Sequence, residues 1–289
     1  MHSGVIFMSS PLSSSRRDEL PDHIRGIRGL ARRLLWDGHT LRDGRRLDHA
    51  SLVRLAGVLA FVAGALNAGG FQALGFYTSH VTGNLSRTAN ELAAGRLLLA
   101  ESFGVLVLTF MAGAFTTGML LSFGRRHRFR ARYAFSMSLE ALLICLFGIF
   151  GDRLSHATFF APATAVLLSF VMGMHNAVSS TMSKTEVRTT HMTGNTTDLG
   201  LELSQLLYSN RGYSRKMAPV LADRRRLALH GTLVVSFFGG ALSGALAFAR
   251  YGYVCALPLA AVLASLCLPS LALDLETRLR LRRKKAAWM

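Results

Sequence analysis

Apolar residues in this chain come in long blocks and not at a period of two or 3.6. The blocks cover about residues 55–77, 97–123, 133–151, 158–182, 227–249 and 252–273. A bilayer crossing needs about 20 apolar residues at a rise of 1.5 Å each, so each block reads as one span. Two shorter, half-apolar helical patterns interrupt them, from residue 84 to about 94 and from about 196 to 208. Residues 1–53 are polar and rich in Arg, Ser and Asp.

Each short helix is introduced by the same five-residue pattern. His80-Val81-Thr82-Gly83-Asn84 returns as His191-Met192-Thr193-Gly194-Asn195. An Asn-Ala pair precedes each copy, Asn67-Ala68 and Asn176-Ala177, and a Glu follows at equal distance, Glu91 and Glu202. Phe110-x-x-Gly113-Ala114 likewise matches Phe237-x-x-Gly240-Ala241. The offset between copies is 109 at Asn67, 111 at His80 and 127 at Phe110, and most of the growth is a basic insertion before residue 227. This is an internal duplication. Three spans per half is an odd number, which turns the second copy upside down in the membrane. The expected fold is an all-α membrane protein of six transmembrane helices, built as two inverted three-helix repeats. Repeat one covers about residues 54–151 and repeat two about 158–273, flanked by tails over 1–53 and 274–289. Gly113, Gly240 and Gly244 are expected where helices touch, because Gly240-x-x-x-Gly244 permits close backbone approach.

Composition agrees: 289 residues, 51% hydrophobic, with a mean hydropathy of +0.33. The net charge of +17 lies between the blocks, at 125–132, 211–226, 278–285 and in the N-terminal tail. Basic connectors mark the cytoplasmic side. That places both termini inside a bacterial inner membrane and accounts for the charge without nucleic acid. Residues 24–36 carry Ile24, Ile27, Leu30, Leu34 and Leu35 on one helical face, either a basic helix lying on the membrane surface or a solvated tail. The start of the chain lacks the apolar core of a signal peptide. Cys145, Cys255 and Cys267 sit within apolar blocks without a CxxC partner and read as small apolar residues.

The repeated motif supports two readings. In the first it is structural: Thr82 or Asn84 N-caps the following helix and Gly83 allows the tight turn. In the second, broken helices from inverted repeats converge near the membrane midplane and bind a solute. The substrate-binding candidates are then Asn67, His80, Thr82, Asn84, Asn176, His191, Thr193 and Asn195, with the histidines able to carry protons. Glu140, mid-span, is the proton-coupling candidate, because a carboxylate in a membrane is costly without a partner or a cavity. His80, His175 and His191 lack metal-ligand spacing, and no nucleophile motif, phosphate loop or dinucleotide fingerprint occurs. No cofactor is expected.

The paired His-x-Thr-Gly-Asn motifs, the upstream Asn-Ala pairs and the six-block layout resemble the YoaK-like family, bacterial inner-membrane proteins carrying a domain of unknown function. The resemblance covers about residues 52–273. Asn67 fits the Asp or Asn that the family shows there. It implies a multi-span inner-membrane protein and supplies no activity.

The expected function is therefore a small-solute permease in the lipid bilayer, not an enzyme, with its site at the paired motifs. The alternative is a non-transporting membrane protein with a structural, sensing or interaction role, in which the motifs are helix caps. The basic connectors predict that single cysteines at either terminus or within 125–132 are labelled only from the cytoplasmic side. Labelling of either terminus from outside would overturn that orientation.

Overall fold

The structure is a computed structural model that describes residues 48–75, 77–157, 161–182, 187–209 and 219–286. They form α1 (His49–Leu74), α2 (Val81–Ala93), α3 (Leu97–Arg126), α4 (Arg132–Ser155), α5 (Ala163–Met182), α6 (Met192–Leu207), α7 (Arg224–Tyr251), a 3-10 turn (Gly252–Cys255) and α8 (Ala256–Ala286). The surface helix expected over 24–36 lies outside the described residues. The stretch expected as a basic C-terminal tail continues α8 as helix to Ala286.

Local chemistry sets several of the ends. Asp48 caps α1 by accepting from Ser51 N (3.3 Å). Gly75 closes the helix in the left-handed region at φ 74 and returns its N–H to Phe71 O, a conformation that favours glycine. Asp223 caps α7, accepting from Arg225 N (2.9 Å) and Arg226 N (3.3 Å).

Two parallel helix pairs form the frame, α1 with α7 and α3 with α5. Each is held by the same contact. A Cβ added to Gly64 would strike Phe237 O, and one added to Gly240 would strike Phe61 O. In the other pair Gly113 lies against Phe170 O and Gly173 against Phe110 O. Four Phe-x-x-Gly segments thus pack reciprocally, two and two, with each carbonyl seated where only glycine leaves room. The expectation for Gly113, Gly240 and Gly244 holds, since Gly244 meets Ala65 O. The two segments that match in sequence, Phe110–Gly113 and Phe237–Gly240, belong one to each pair.

The two pairs meet through α1 and α5, which run antiparallel: Gly70 lies beside Leu168, and Leu59 O faces His175 Nε2 at 3.1 Å. α4 packs against α5, and α8 runs back along α4, with Gly151 against Tyr253, Gly148 against Leu257, Ser138 Oγ donating to Cys267 Sγ (3.3 Å) and Arg278 donating to His127 O (3.0 Å). α1 is the centre of the bundle, with Leu55, Leu59, Ala60, Ala63 and Leu66 all buried.

The outward faces are apolar. On α3, Leu108, Met111, Phe115 and Met119 are exposed, and on α7 so are Val235, Phe238, Leu242 and Leu246, residue for residue the same stripe at an offset of 127. A continuous apolar stripe facing outward is unusual for a soluble protein and fits lipid. Among the described residues, five helical stretches are long and apolar enough to cross a membrane, the last running 57 residues over Arg224–Arg280.

The buried glycines and the open ones make opposite predictions. Gly113→Ala and Gly240→Ala push a methyl into the backbone of a facing helix and should lower stability by about 1–3 kcal/mol. Gly118 and Gly239, in the same two helices, have nothing within 4 Å of an added Cβ. Gly118→Ala and Gly239→Ala should be neutral or stabilising by up to about 1 kcal/mol, because Ala is the better helix former. Thermal melts in detergent decide; equal losses at all four positions would show that packing is not the cause.

Candidate functional site

The repeated motif forms the turn between a long helix and the short helix after it. In the first half, Asn67 near the end of α1 reaches forward, and its Oδ1 accepts from Ser79 Oγ (2.8 Å) and Ser79 N (3.2 Å). Asn84 reaches back, and its Nδ2 donates to Tyr77 O (3.2 Å). The second half repeats both bonds. Thr190 Oγ1 donates to Asn176 Oδ1 (2.9 Å) and Asn195 Nδ2 donates to Arg188 O (2.8 Å). Two side-chain amides thus satisfy a loop that crosses between helix ends, where an unpaired backbone group would be costly.

The N-cap expectation needs correction. The N-cap positions are His80 and His191, with no side-chain cap bond. Thr82 and Asn84, like Thr193 and Asn195, already lie in the first turn of α2 and α6. Asn84 and Asn195 sit one turn into the helix, where their own N–H groups bond His80 O and His191 O, and their side-chain amides donate back to loop carbonyls. His80 and His191 are exposed, as are Thr82 and Thr193. Each imidazole folds over a glycine: a Cβ on Gly83 would overlap the His80 ring, and one on Gly194 the His191 ring. That explains why His and Gly recur together. The serine and threonine partners, Ser79 and Thr190, escaped the sequence reading, although Thr78-Ser79 and Thr189-Thr190 extend the duplication two residues upstream.

The conserved spacing of Glu91 and Glu202 has the same origin. Glu91 pairs with Arg96, which precedes α3, and Glu202 Oε2 accepts from Asp223 N (3.0 Å), which precedes α7. In both halves a carboxylate on the short helix holds the N-cap residue of the next long one. Arg96 holds the Glu91 carboxyl below the usual carboxylate range, and the N–H groups of Arg225 and Arg226 do the same for Asp223. What these carboxylates add to stability is present above that range and is lost as the pH falls through the lowered values.

The structure keeps the two motifs apart. Loop one packs where Thr78 meets Gly70 and Leu168, with Ser169 Oγ donating to Thr78 O (3.2 Å). Loop two packs through Val187 against Ala56, Ala60, Leu229 and Leu233. Gly70 and Ala60 are separated along α1 by about 15 Å at helical rise. A cavity of about 560 Å³ opens between the start of α1, α6 and α7, lined by Asp198, Glu202, Asp223, Arg226 and His230 among others, and not by the motif residues.

Glu140 meets His175 and none of the motif residues. Its Oε1 lies 2.6 Å from His175 Nδ1, and both side chains are buried, at 0% and 1% exposure. His175 Nε2 reaches Leu59 O at 3.1 Å, so one imidazole joins α4, α5 and α1. Among the described residues, Glu140 Oε2 has no hydrogen-bond partner. The signal was present in the sequence: His175 and Glu140 are isolated ionisable groups inside apolar blocks, and such groups seek each other.

Apolar helices with lipid-compatible faces and a buried ionisable pair define a helical protein of membrane type. The family model described as "Protein of unknown function (DUF1275)" matches residues 55–268, and the chain belongs to that family. No curated protein and no solved structure matches it.

The loop bonds make a specific prediction. Asn84→Asp and Asn195→Asp keep shape and acceptors but remove the donor to Tyr77 O or Arg188 O. Each should lower stability at neutral pH at least as much as the Ala variant, by roughly 1–3 kcal/mol. Asp variants that melt with the parent protein would rule out the bracing role.

Proposed function

We propose that the protein is a proton-coupled permease for a small solute, not an enzyme, with six crossings arranged as two inverted three-helix repeats. In this reading it sits in the bacterial inner membrane with both termini cytoplasmic. The 57-residue helical stretch would extend roughly 86 Å at helical rise, against about 30 Å of hydrocarbon. It breaks at Gly252, φ 63, and α8 then runs antiparallel to α4, which supports two crossings there. The matched glycine contacts, loop bonds and lipid-facing stripes support the repeat.

The observation that carries the proton coupling is the Glu140–His175–Leu59 O chain. With one shared proton between the side chains, both contacts of the imidazole are satisfied. The ring donates from Nε2 to Leu59 O, while Nδ1 and Oε1 share a proton in either direction. Remove that proton and one contact fails: a neutral imidazole has one N–H, and its lone pair must then face either the carboxylate or the carbonyl. Protonation therefore decides whether α5 is fastened to both α4 and α1. That is the bistable element alternating access needs. The solute would bind beside this pair.

The hydrogen bonds of Asn67, Asn84, Asn176 and Asn195 favour the structural reading of the motifs themselves. All four amides are engaged within their own half, so the motifs brace the loops and need not line a solute site.

A thermal-shift screen of small solutes on purified protein, followed by uptake into reconstituted vesicles under a pH gradient, tests the proposal. Glu140→Gln should leave the fold and the solute-induced shift in place and remove the dependence of uptake on the gradient. Gradient-driven uptake that survives in Glu140→Gln, or absence of uptake for every solute that shifts the melt, would overturn it.

A further inference from the structure

We propose a binding site for an anionic phospholipid headgroup at the turn between α3 and α4, where exposed arginines flank Phe129 along the chain. The inference rests on the membrane reading of the helices and is independent of the proton pair. α3 spans about 45 Å at helical rise, more than the roughly 30 Å of hydrocarbon, so its C-terminal turns reach headgroup level.

The turn is held rigidly. Phe129 N donates to Gly124 O (2.8 Å), and Arg130 N donates to Asp274 on α8 (3.4 Å). Arg278 lies over the Phe129 ring, 3.7 Å from its centroid. It is fixed there by Asp274 (3.3 Å) and by His127 O (3.0 Å). Asp274 is thereby used up. The exposed side chains of Arg126, Arg128 and Arg130 have no acidic partner among the described residues. Phe123 and Phe135, both exposed, lie beside Phe129 with ring centroids 6.3 and 6.4 Å from it. Guanidinium groups beside a ledge of exposed rings match a phosphate with acyl chains attached, and the apolar ledge is what selects lipid over free phosphate.

A second observation points the same way. Arg128 has φ 55, in the left-handed region that glycine takes without steric cost. The chain places a guanidinium where glycine would make the turn more easily. A strained position of this kind suggests that the side chain is used.

Arg128→Gly separates fold from binding. It relieves the backbone, so without lipid the variant should melt at or above the parent temperature. The test uses full-length protein in nanodiscs and mixed micelles of phosphatidylglycerol or phosphatidylcholine, read by thermal melts and by lipid retained in native mass spectrometry. Phosphatidylglycerol should be retained preferentially and raise the melting temperature. Arg126→Gln with Arg128→Gly should weaken that retention about 25-fold at low salt, from about fivefold per arginine. Insertion into both lipids reports the membrane reading; the difference between them reports the site. Equal retention of the two lipids, an unchanged preference in the double variant, an equal shift from inorganic phosphate alone, or displacement of the lipid by an oligonucleotide would each overturn the proposal.

Discussion

Close approach of helix backbones at glycine is the constraint on which the remaining structure depends. In lipid, apolar side chains gain little by leaving one apolar environment for another, so helix association relies on close packing and polar contacts. Here Gly64 and Gly240 let α1 and α7 meet carbonyl to Cα, and Gly113 and Gly173 do the same for α3 and α5. These contacts set the parallel pairing and its register. They also set which faces are left outside, and so the matched stripes of Leu108 to Met119 and Val235 to Leu246.

With the long helices placed, the loops follow. The turn after α1 must change direction next to α5, and the turn after α5 must do so next to α1. Asn67, Ser79 and Asn84 solve the first, and Asn176, Thr190 and Asn195 solve the second with the same bonds. Where the halves diverge, position is kept while chemistry changes. Arg87 lies over the Phe103 ring at 5.2 Å, and the corresponding positions hold Asp198 and His230, 3.7 Å apart. One slot on the short helix faces one slot on the long helix in both halves. In the first a cation meets a ring, and in the second a carboxylate meets an imidazole, lining a polar cavity.

The Glu140–His175 pair is the exception to the repetition. Leu66 occupies the position in α1 that corresponds to His175 in α5. The ionisable centre thus has no counterpart at the related position, and it joins Glu140 and the Leu59 carbonyl of the first half to His175 of the second. Burying such a pair adds little net stability, because the cost of desolvating the two groups offsets their attraction.

The sequence by itself determined the helical class, the six apolar blocks, the duplication and the two ionisable groups within spans, because each is written in local composition or in repetition at a fixed offset. It also marked Gly113, Gly240 and Gly244 as contact points. Whether Asn84 would cap its helix or bond a loop carbonyl depended on the path of residues 77–80, which packing against Ser169 sets. Position inside the apolar blocks marked Glu140 and His175 as groups in need of partners, but that they are each other's partner, 35 residues apart on two helices, was decided by the packing of α4 against α5. The separation of the two motifs was decided in the same way. Identical local sequences specify identical turns, but the antiparallel crossing of α1 and α5 sends those turns to different levels of the bundle.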